Sequence, residues 1–264
     1  MSISASRAEA EEWWQTAIIR MEPNVIEIRG RPIEELIGSV SFAQMIWLMV
    51  RGDLPTSGQA VLLEAALTAA VDHGPQAPSI AAARMAATCG VGLNNAMATG
   101  LNMLGDVHGG AGEQAVELFQ LIHEAGTEPA SVRRTIDDWK TRRGKYLPGF
   151  GHRFHTRDPR APRLMDLVEC AVRDGHVDGH MRQAAAQVEG YLAESGKPVP
   201  MNIDGATAVI YAELGFPAPL ARGLFCLSRG VGILAHAWEQ TEQGGRNKGP
   251  LPKGYLWRYV DNRR

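Results

Sequence analysis

The stretch SIAAARMAATCGVGLNNAMATGLNML, residues 79–104, consists mainly of alanine, glycine, methionine and asparagine and contains one charged residue, Arg84. A helix with side chains this small can approach a neighbouring helix closely. We therefore predict that residues 79–104 form an interior helix. The other helices of an all-α fold are expected to pack around it.

A helix start is readable at Ser41 and Gln44, which have the spacing of a capping box. Gly52 and Pro55 end this helix. Its apolar face is predicted to contain Phe42, Met45, Ile46, Met49 and Val50. The same periodicity predicts further helices over residues 57–71, 113–124, 131–141, 161–173, 181–193, 205–214 and 219–239.

Strand signals are nearly absent from the sequence. Only residues 24–29, Asn-Val-Ile-Glu-Ile-Arg, alternate in a short β-like pattern, which predicts one small hairpin near the start of a mainly helical chain. Trp13 and Trp14 are expected to pack against a helix or a partner chain rather than to bind a ligand. No internal repeat is visible.

Composition excludes several classes of function. The formal net charge of the 264-residue chain is -2, so no global field attracts nucleic acid or an anionic membrane. Three separated cysteines predict neither a disulfide framework nor a zinc site. The first 20 residues lack the pattern of a signal peptide, and no stretch is expected to reach membrane-spanning length. We expect a soluble, cytoplasmic protein.

Three segments combine glycine with a titratable side chain: residues 105–111 with His108, 147–153 with His152, and 201–205 with Asp204. Each such side chain lies at or near a predicted helix start, where N–H groups and the helix dipole act on it. A helix N-terminus favours neutral imidazole, so His108 would suit a hydrogen-bond donor to a developing oxyanion. A single histidine in a glycine-rich turn is more often a cap or a surface group.

Several short motifs, which follow one another in a particular order, indicate the family of the chain better than any single loop does. The motifs occupy residues 29–36, 51–55, 72–74, 108–111, 148–153, 158–160, 202–204 and 228–229. In this order they resemble the citrate synthase family over residues 25 to 239. The resemblance implies a two-domain helical fold, with a large domain of residues 1–112 and 213–264 and an inserted small domain of residues 113–212. It also implies a homodimer, whose interface we expect to bury residues 79–104.

The resemblance also implies roles for individual residues. Asp204 would move a proton on the acetyl methyl of a coenzyme A (CoA) thioester, while His108 stabilises the enol or enolate oxygen. His152 would exchange a proton with the keto oxygen of oxaloacetate. Such groups suit the chemistry, because a weak carbon acid needs both a placed base and support for the oxygen that gains charge.

Arginine forks match carboxylates, so arginines are expected around a keto-acid site. By resemblance, the contacts to the keto acid are His73, Arg160, Arg229 and, from the partner subunit, Arg246. The expected contacts to CoA are Lys145, Leu147, Pro148, Gly149, Phe150, Gly151, Arg153 and Arg157. Basic side chains such as Lys145 are by default solvated, and Arg160 could simply be a helix-start residue in an Asp-Pro turn.

The length of the chain and residues 202–205 and 232–240 resemble the citryl-CoA lyase module at the C-terminus of ATP citrate lyase. A citryl-CoA lyase is therefore the first expectation. A citrate synthase or related 3-hydroxyacyl-CoA enzyme is the second, and a catalytically silent CoA-binding partner subunit is the third. CoA thioester is expected as substrate, with no tightly bound cofactor. His176 and His180 have metal-ligand spacing, but Gly175 and Gly179 predict a turn there, so no metal site is expected.

Overall fold

The computed structural model describes residues 6–126, 128–194, 196 and 199–261. Within these residues the chain is mainly helical, which confirms the predicted fold class. Its elements, in chain order, are α1 (Arg7–Trp14), β1 (Ile19–Glu22), β2 (Val25–Ile28), β3 (Arg31–Pro32), α2 (Ile33–Leu36), α3 (Phe42–Arg51), α4 (Ser57–Ala69), α5 (Pro78–Thr88), α6 (Leu93–Asn102), α7 (Ala111–Ala125), α8 (Pro129–Arg143), α9 (Arg160–Arg173), α10 (His180–Ala193), α11 (Ile203–Glu213) and α12 (Ala218–Glu242).

The predicted hairpin is present and carries a third short strand. β1, β2 and β3 form an antiparallel sheet in that order. The helix α1 was not predicted; it begins at a capping box formed by Ser6 and Glu9. Trp13 and Trp14 end α1 and are 79% and 78% exposed, so neither packs against a helix of this chain. Packing against a partner chain, the other expectation, stays a prediction.

The predicted capping box of α3 is confirmed, since Ser41 and Gln44 exchange side-chain and backbone hydrogen bonds. Gly52 ends the helix in the left-handed conformation. The predicted apolar face was partly wrong, because Phe42 is 79% exposed. The fully buried residues are Ala43, Ile46, Trp47 and Leu48, since α3 lies between the main core and a smaller cluster beside the sheet.

The small-residue stretch is two helices, α5 and α6, and not the single helix predicted. The chain turns between them, where Gly90 adopts a φ of 81° and Gly92 caps α6. Both helices pack against α12 around Ile80, Ala83 and Ile233. A Cβ added at Gly100 would lie 2.8 Å from the carbonyl oxygen of Ser79, so α6 approaches α5 as closely as its small residues allow.

The main core surrounds α11, whose residues from Gly205 to Ala212 are all buried. Helices α4, α7, α9 and α10 pack against it. Residues from both expected domains join this one core, including Trp47 and Phe119. The division of the chain into a large and a small domain stays a prediction.

The expectation that no stretch reaches membrane-spanning length was wrong. By length and composition alone, α12 could cross a membrane. In the described part of the chain this helix packs against α4, α5, α6, α7 and α11 and buries Ser228 and Arg229. A core helix of a folded protein passes the same test, so α12 is weak evidence for a membrane.

The close approach of α5 and α6 gives a test of the packing. Gly100→Ala should lower the free energy of unfolding by about 1–3 kcal/mol, because the new methyl overlaps Ser79 and Ile233. The same change at Gly190 in α10, where a Cβ meets nothing within 4 Å, should raise it by about 0.5–1 kcal/mol through helix propensity. Urea unfolding measures the free energy of unfolding of both variants. Changes of the same sign in the two variants contradict the packing described.

Candidate functional site

His108 is held by the first turn of α5. Its Nε2 accepts a hydrogen bond from the backbone N–H of Ser79 at 3.1 Å and lies 3.0 Å from the Ser79 hydroxyl. Because Nε2 is an acceptor, the neutral ring carries its proton on Nδ1. Burial, together with the nearby guanidinium of Arg229, lowers the pKa of His108. A neutral imidazole results, whose Nδ1–H has no partner among the described residues. Burial and Arg229 keep the ring neutral, and the start of α5 sets its tautomer.

The loop that carries His108 is closed on itself and tied to α12. Gly105 donates its N–H to the carbonyl of His108 at 2.8 Å. Arg222 of α12 forms ion pairs with Asp106, at 2.6 Å, and with Glu113 at the start of α7. Two carboxylates on either side of the loop are thus held by one guanidinium, which restricts its movement.

The loop of residues 147–151 packs directly on the start of α11. A Cβ at Gly149 would lie 2.6 Å from Cα of Gly205, and one at Gly205 would lie 2.4 Å from the Gly149 oxygen. The side chain of Asn202 donates to the carbonyl of Gly151 at 2.6 Å and caps α11. Gly149 therefore lets the backbone of α11 approach, because any side chain there would separate the two segments. The expected contact of these glycines with a ligand stays a prediction.

His152 has a defined tautomer. Its Nδ1 accepts the backbone N–H groups of Phe154, at 3.0 Å, and His155, at 3.1 Å. The neutral ring therefore carries its proton on Nε2. The ring of His73 lies edge-on to that of His152, with centroids 5.5 Å apart. Two histidines expected at one keto-acid site are thus neighbours in the structure.

Burial lowers the pKa of all three histidines at the site. For His73, the guanidinium groups of Arg229 and Arg160 add to this effect. For His152, the neighbouring ring of His155 adds to it, while the carboxylates of Asp158 and Asp204 oppose it. Near neutral pH these rings are therefore uncharged hydrogen-bonding groups and not cations.

Asp204 is the second residue of α11, where the helix dipole faces it. Burial raises the pKa of Asp204, and the guanidinium groups of Arg229 and Arg160 oppose that rise. Among the described residues, none donates a hydrogen bond to its carboxylate. A carboxylate that is partly removed from water and has no such donor is a stronger base than one on the surface.

Arg160 forms an ion pair with the buried Asp158, whose part in the site sequence reasoning missed. Asp158 is 1% exposed, and its two oxygens accept the Nε and Nη2 hydrogens of Arg160 at 3.0 and 2.8 Å. It also accepts the N–H of Ile203 at 3.1 Å. Burial alone would raise the pKa of Asp158, but these hydrogen bonds lower it to about 2. Arg160 is thus both the helix-start residue and part of the site.

Arg229 is a buried positive charge that acts on several titratable groups of the site. Its side chain is buried, and its Nε donates to the carbonyl of Ala70 at 3.2 Å. Its guanidinium acts on the titration of His73, His108 and Asp204. Within the described ranges, no carboxylate lies within ion-pair distance of it. A buried guanidinium with unused N–H donors suits a carboxylate ligand.

A cavity of about 420 Å³ opens beside His152. Of the expected CoA contacts, it is lined by Lys145, Leu147, Phe150, Gly151 and Arg153. Pro148 and Gly149 belong to the same loop but do not line it. Arg157 lines a different, smaller cavity of about 190 Å³ with Arg182 and Glu189, so the structure does not bring it to the others.

Arg246 lies apart from the site of its own chain. Its neighbour Asn247 donates to the carbonyl of Thr88, at the end of α5 opposite Ser79. Those two ends are about 14 Å apart, given a rise of about 1.5 Å per residue. The role of Arg246 in a partner subunit stays a prediction. His176 and His180 lie in the turn before α10 and at its first residue, and no group of potential metal ligands occurs among the described residues.

Comparisons with known proteins give related results. A family model described as the C-terminal domain of citrate synthase matches residues 58–259. The structure of citryl-CoA lyase from Hydrogenobacter thermophilus aligns with a TM-score of 0.82 and 32% identity, covering 95% of this chain and 96% of that one. Citrate synthase from Thermoplasma acidophilum, in a ternary complex with carboxymethyl coenzyme A and oxaloacetate, aligns with a TM-score of 0.68 and 27% identity, covering 85% and 60%.

Among curated proteins, citrate synthase of Haloferax volcanii is 28% identical over 217 residues, which are 81% of this chain and 55% of that protein. The chain thus spans about half the length of the curated citrate synthases that it matches. It spans nearly the whole length of the citryl-CoA lyase structure.

The Asp158–Arg160 pair predicts a specific dependence of stability on pH. The pKa of Asp158 is about 2 in the fold against 3.8 ordinarily, so its contribution is present above pH 4 and is lost as the pH falls towards 2. Asp158→Asn should remove about 2 kcal/mol of that acid sensitivity. Urea unfolding between pH 2 and 7 measures it. Asp138→Asn, at an exposed position in α8, is the matched control, and equal profiles for both variants contradict the role of Asp158.

Proposed function

Since the chain belongs to the citrate synthase family, we propose that it makes or breaks a carbon–carbon bond beside a CoA thioester. The observation that carries this proposal is the arrangement of His108, His152 and Asp204. Two neutral histidines have one ring N–H each left for a ligand, and Arg229 lies close enough to His108 and to Asp204 to act on the pKa of both. The Asp204 carboxylate interacts with His152 and accepts no hydrogen bond from any described residue. This set matches the needs of an enol intermediate.

In the cleavage direction, the bond between the hydroxyl-bearing carbon and the thioester methylene breaks, and its electron pair enters the thioester carbonyl. His108 donates its Nδ1–H to the oxygen that gains charge. Asp204, in its protonated form, then delivers a proton to the methylene carbon, which gives the acetyl thioester. The raised pKa of Asp204 suits both directions, because the group must hold and release a proton near neutral pH.

The other product is a keto acid with carboxylates. His152 exchanges a proton with the oxygen that is a hydroxyl before cleavage and a keto group after it. In the condensation direction the Nε2 proton passes to the keto oxygen, and in cleavage the hydroxyl proton moves to Nε2 as the carbon–carbon bond breaks. Arg229 and the part of Arg160 not bound by Asp158 supply guanidinium donors to the carboxylates. His73 forms the adjacent wall, next to His152. Oxaloacetate has the size and charge that these groups fit.

CoA is proposed as part of the substrate and not as a resident cofactor. The cavity beside His152 combines apolar walls with Lys145 and Arg153 at its edge, which suits a thioester arm and its phosphates. The cytoplasmic location also stays a proposal. It is supported by three cysteines that are all free thiols.

We favour cleavage of citryl-CoA to acetyl-CoA and oxaloacetate as the reaction. The 32% identity to a citryl-CoA lyase over nearly the full length of both chains supports this choice. Citrate synthase activity is the second candidate, since the family model and the Haloferax volcanii relative carry that name. An enzyme accelerates both directions of its chemical step, so the direction of the carbon–carbon step does not separate the two activities. They differ in whether citryl-CoA is cleaved or hydrolysed.

Two assays distinguish these activities. With citryl-CoA as substrate, a lyase should release acetyl-CoA and oxaloacetate without free thiol. With acetyl-CoA and oxaloacetate, it should release little thiol, because it does not hydrolyse the thioester. Prompt thiol release from the second mixture contradicts the lyase assignment and supports the synthase.

Asp204→Asn is the inactive control for these assays. It should lower turnover at least about 10³-fold while the affinity for CoA changes little, because the lost group acts only on the proton in flight. Equal losses of turnover and CoA affinity indicate a structural role. Absence of cleavage, synthesis and solvent-deuterium exchange into acetyl-CoA in the unmodified protein would leave only a silent CoA-binding subunit.

We further propose a homodimer formed through α5, α6 and α12. The exposed side of α12 carries Leu227, Val231, Leu234 and Trp238, spaced four, three and four residues apart. These positions form one apolar stripe on a helix. A monomer would leave this stripe in water, beside the exposed Met85 of α5.

Light scattering after size-exclusion chromatography should give twice the 28.6 kDa mass of the chain. Val231→Glu places a charge in the proposed interface and should yield monomer at micromolar concentration. Phe42→Glu, which replaces an even more exposed apolar residue on α3, should remain dimeric. A monomeric unmodified protein with full activity contradicts the proposed dimer.

A further inference from the structure

Three consecutive residues before His73 each meet a successive turn of α12. Arg229 donates its Nε hydrogen to the carbonyl of Ala70 at 3.2 Å. A Cβ at Gly232 would lie 2.2 Å from the carbonyl oxygen of Val71, so the helix and the loop touch through their backbones. One turn later, Nε2 of His236 lies 3.1 Å from Oδ1 of Asp72. The register of this loop on α12 is therefore set at three points.

The last of these contacts has a defined direction. Arg84 of α5 places Nη1 at 3.4 Å from Nδ1 of His236, and a guanidinium can only donate. Nδ1 of His236 is then the acceptor, and its Nε2–H donates to Asp72. Arg84 is held by Glu239 of α12 at 2.6 Å and by Gln243, the C-cap of α12, at 2.8 Å. The ring of His236 is thus oriented from both sides.

Asp72 connects the oriented ring of His236 to the turn that contains His73. Its second oxygen accepts the N–H of Gly74 at 3.1 Å, which closes a turn around His73. Burial raises the pKa of Asp72, but hydrogen bonds from Gly74 and His236 outweigh it and lower that pKa, so the carboxylate remains ionised. The ring of His73 extends from this turn towards His152.

We propose that His236 is a positioning residue for keto-acid binding, which acts through Asp72 to hold His73 against His152. This inference rests on the proposed function, because it assigns His73 to the keto-acid part of the substrate. His236 itself does not touch the substrate. Removing its Nε2–H leaves Asp72 without one of its donors and releases the turn, so His73 no longer holds one position.

The test compares two substitutions at one position by calorimetric titration with oxaloacetate and, separately, with CoA. His236→Leu removes the donor and should weaken oxaloacetate binding about 10-fold, the lower end of the range known for loss of the hydrogen-bond partner that orients a metal-binding histidine. The Kd for CoA should stay within about 2-fold. His236→Gln, whose amide N–H can reach Asp72, should recover most of the loss. Glu242→Gln, at an exposed position of the same helix, should match the unmodified protein.

A second readout is the ¹³C-labelled imidazole resonance of His73, assigned by its loss in His73→Gln. It should shift in His236→Leu, return in His236→Gln, and stay unchanged in Glu242→Gln. Unchanged oxaloacetate binding in His236→Leu overturns the inference, as does equal weakening of both ligands without recovery in His236→Gln. An unmodified protein that binds neither ligand overturns the proposed function instead, and the resonance of His73 then still decides whether His236 positions it.

Discussion

The carboxylate of Asp158 is almost completely removed from water, and it remains ionised because four N–H groups donate to it. Two of these donors belong to the Arg160 guanidinium, the third is the backbone N–H of Arg160, and the fourth is the N–H of Ile203 at the start of α11. One buried charge therefore joins α9, which carries Arg160, to the helix that carries Asp204. A buried ion pair is costly unless its remaining hydrogen-bonding positions are filled, and here the N–H of Ile203 fills one of them. The relative placement of base and guanidinium depends on this interaction.

Backbone N–H groups at helix starts hold side chains of the site at more than one position. The first N–H groups of a helix have no partner within it, and this protein uses them to hold chemical groups. The N–H of Ser79 in α5 fixes the tautomer of His108, and that of Ile203 in α11 holds Asp158. Because each donor belongs to a packed helix, the imidazole and the carboxylate keep their positions without a ligand. Such preorganisation is what stabilisation of a developing oxyanion requires.

Much of this site could be predicted from local sequence, since His108, His152, Asp204 and Arg229 lie in short motifs that keep a fixed order. The capping box of α3 was also readable, because it depends on residues three apart. Asp158 was missed as a site residue, because its partners are a guanidinium two residues away and an N–H 45 residues away. The contact of Gly149 with α11 was missed for the same reason: only the folded chain shows that Gly205 lies against it. Tertiary contacts of this kind leave no periodic signal.

The charge distribution of the site explains why neutral histidines and guanidinium groups occur together. Arg229 is buried close to His73 and His108, and a protonated imidazole beside it would add repulsion to the cost of burial. Both rings are therefore held neutral, and the positive charge stays on the arginines, which cannot release it. In the proposed reaction, a ligand with several carboxylates would meet fixed positive charge at its ends and uncharged hydrogen-bond donors at its reacting oxygens. If the histidines were charged, they would compete with Arg229 for the carboxylates. The proposed ligand would then be held by its carboxylates at the positions where its reacting oxygens should bind.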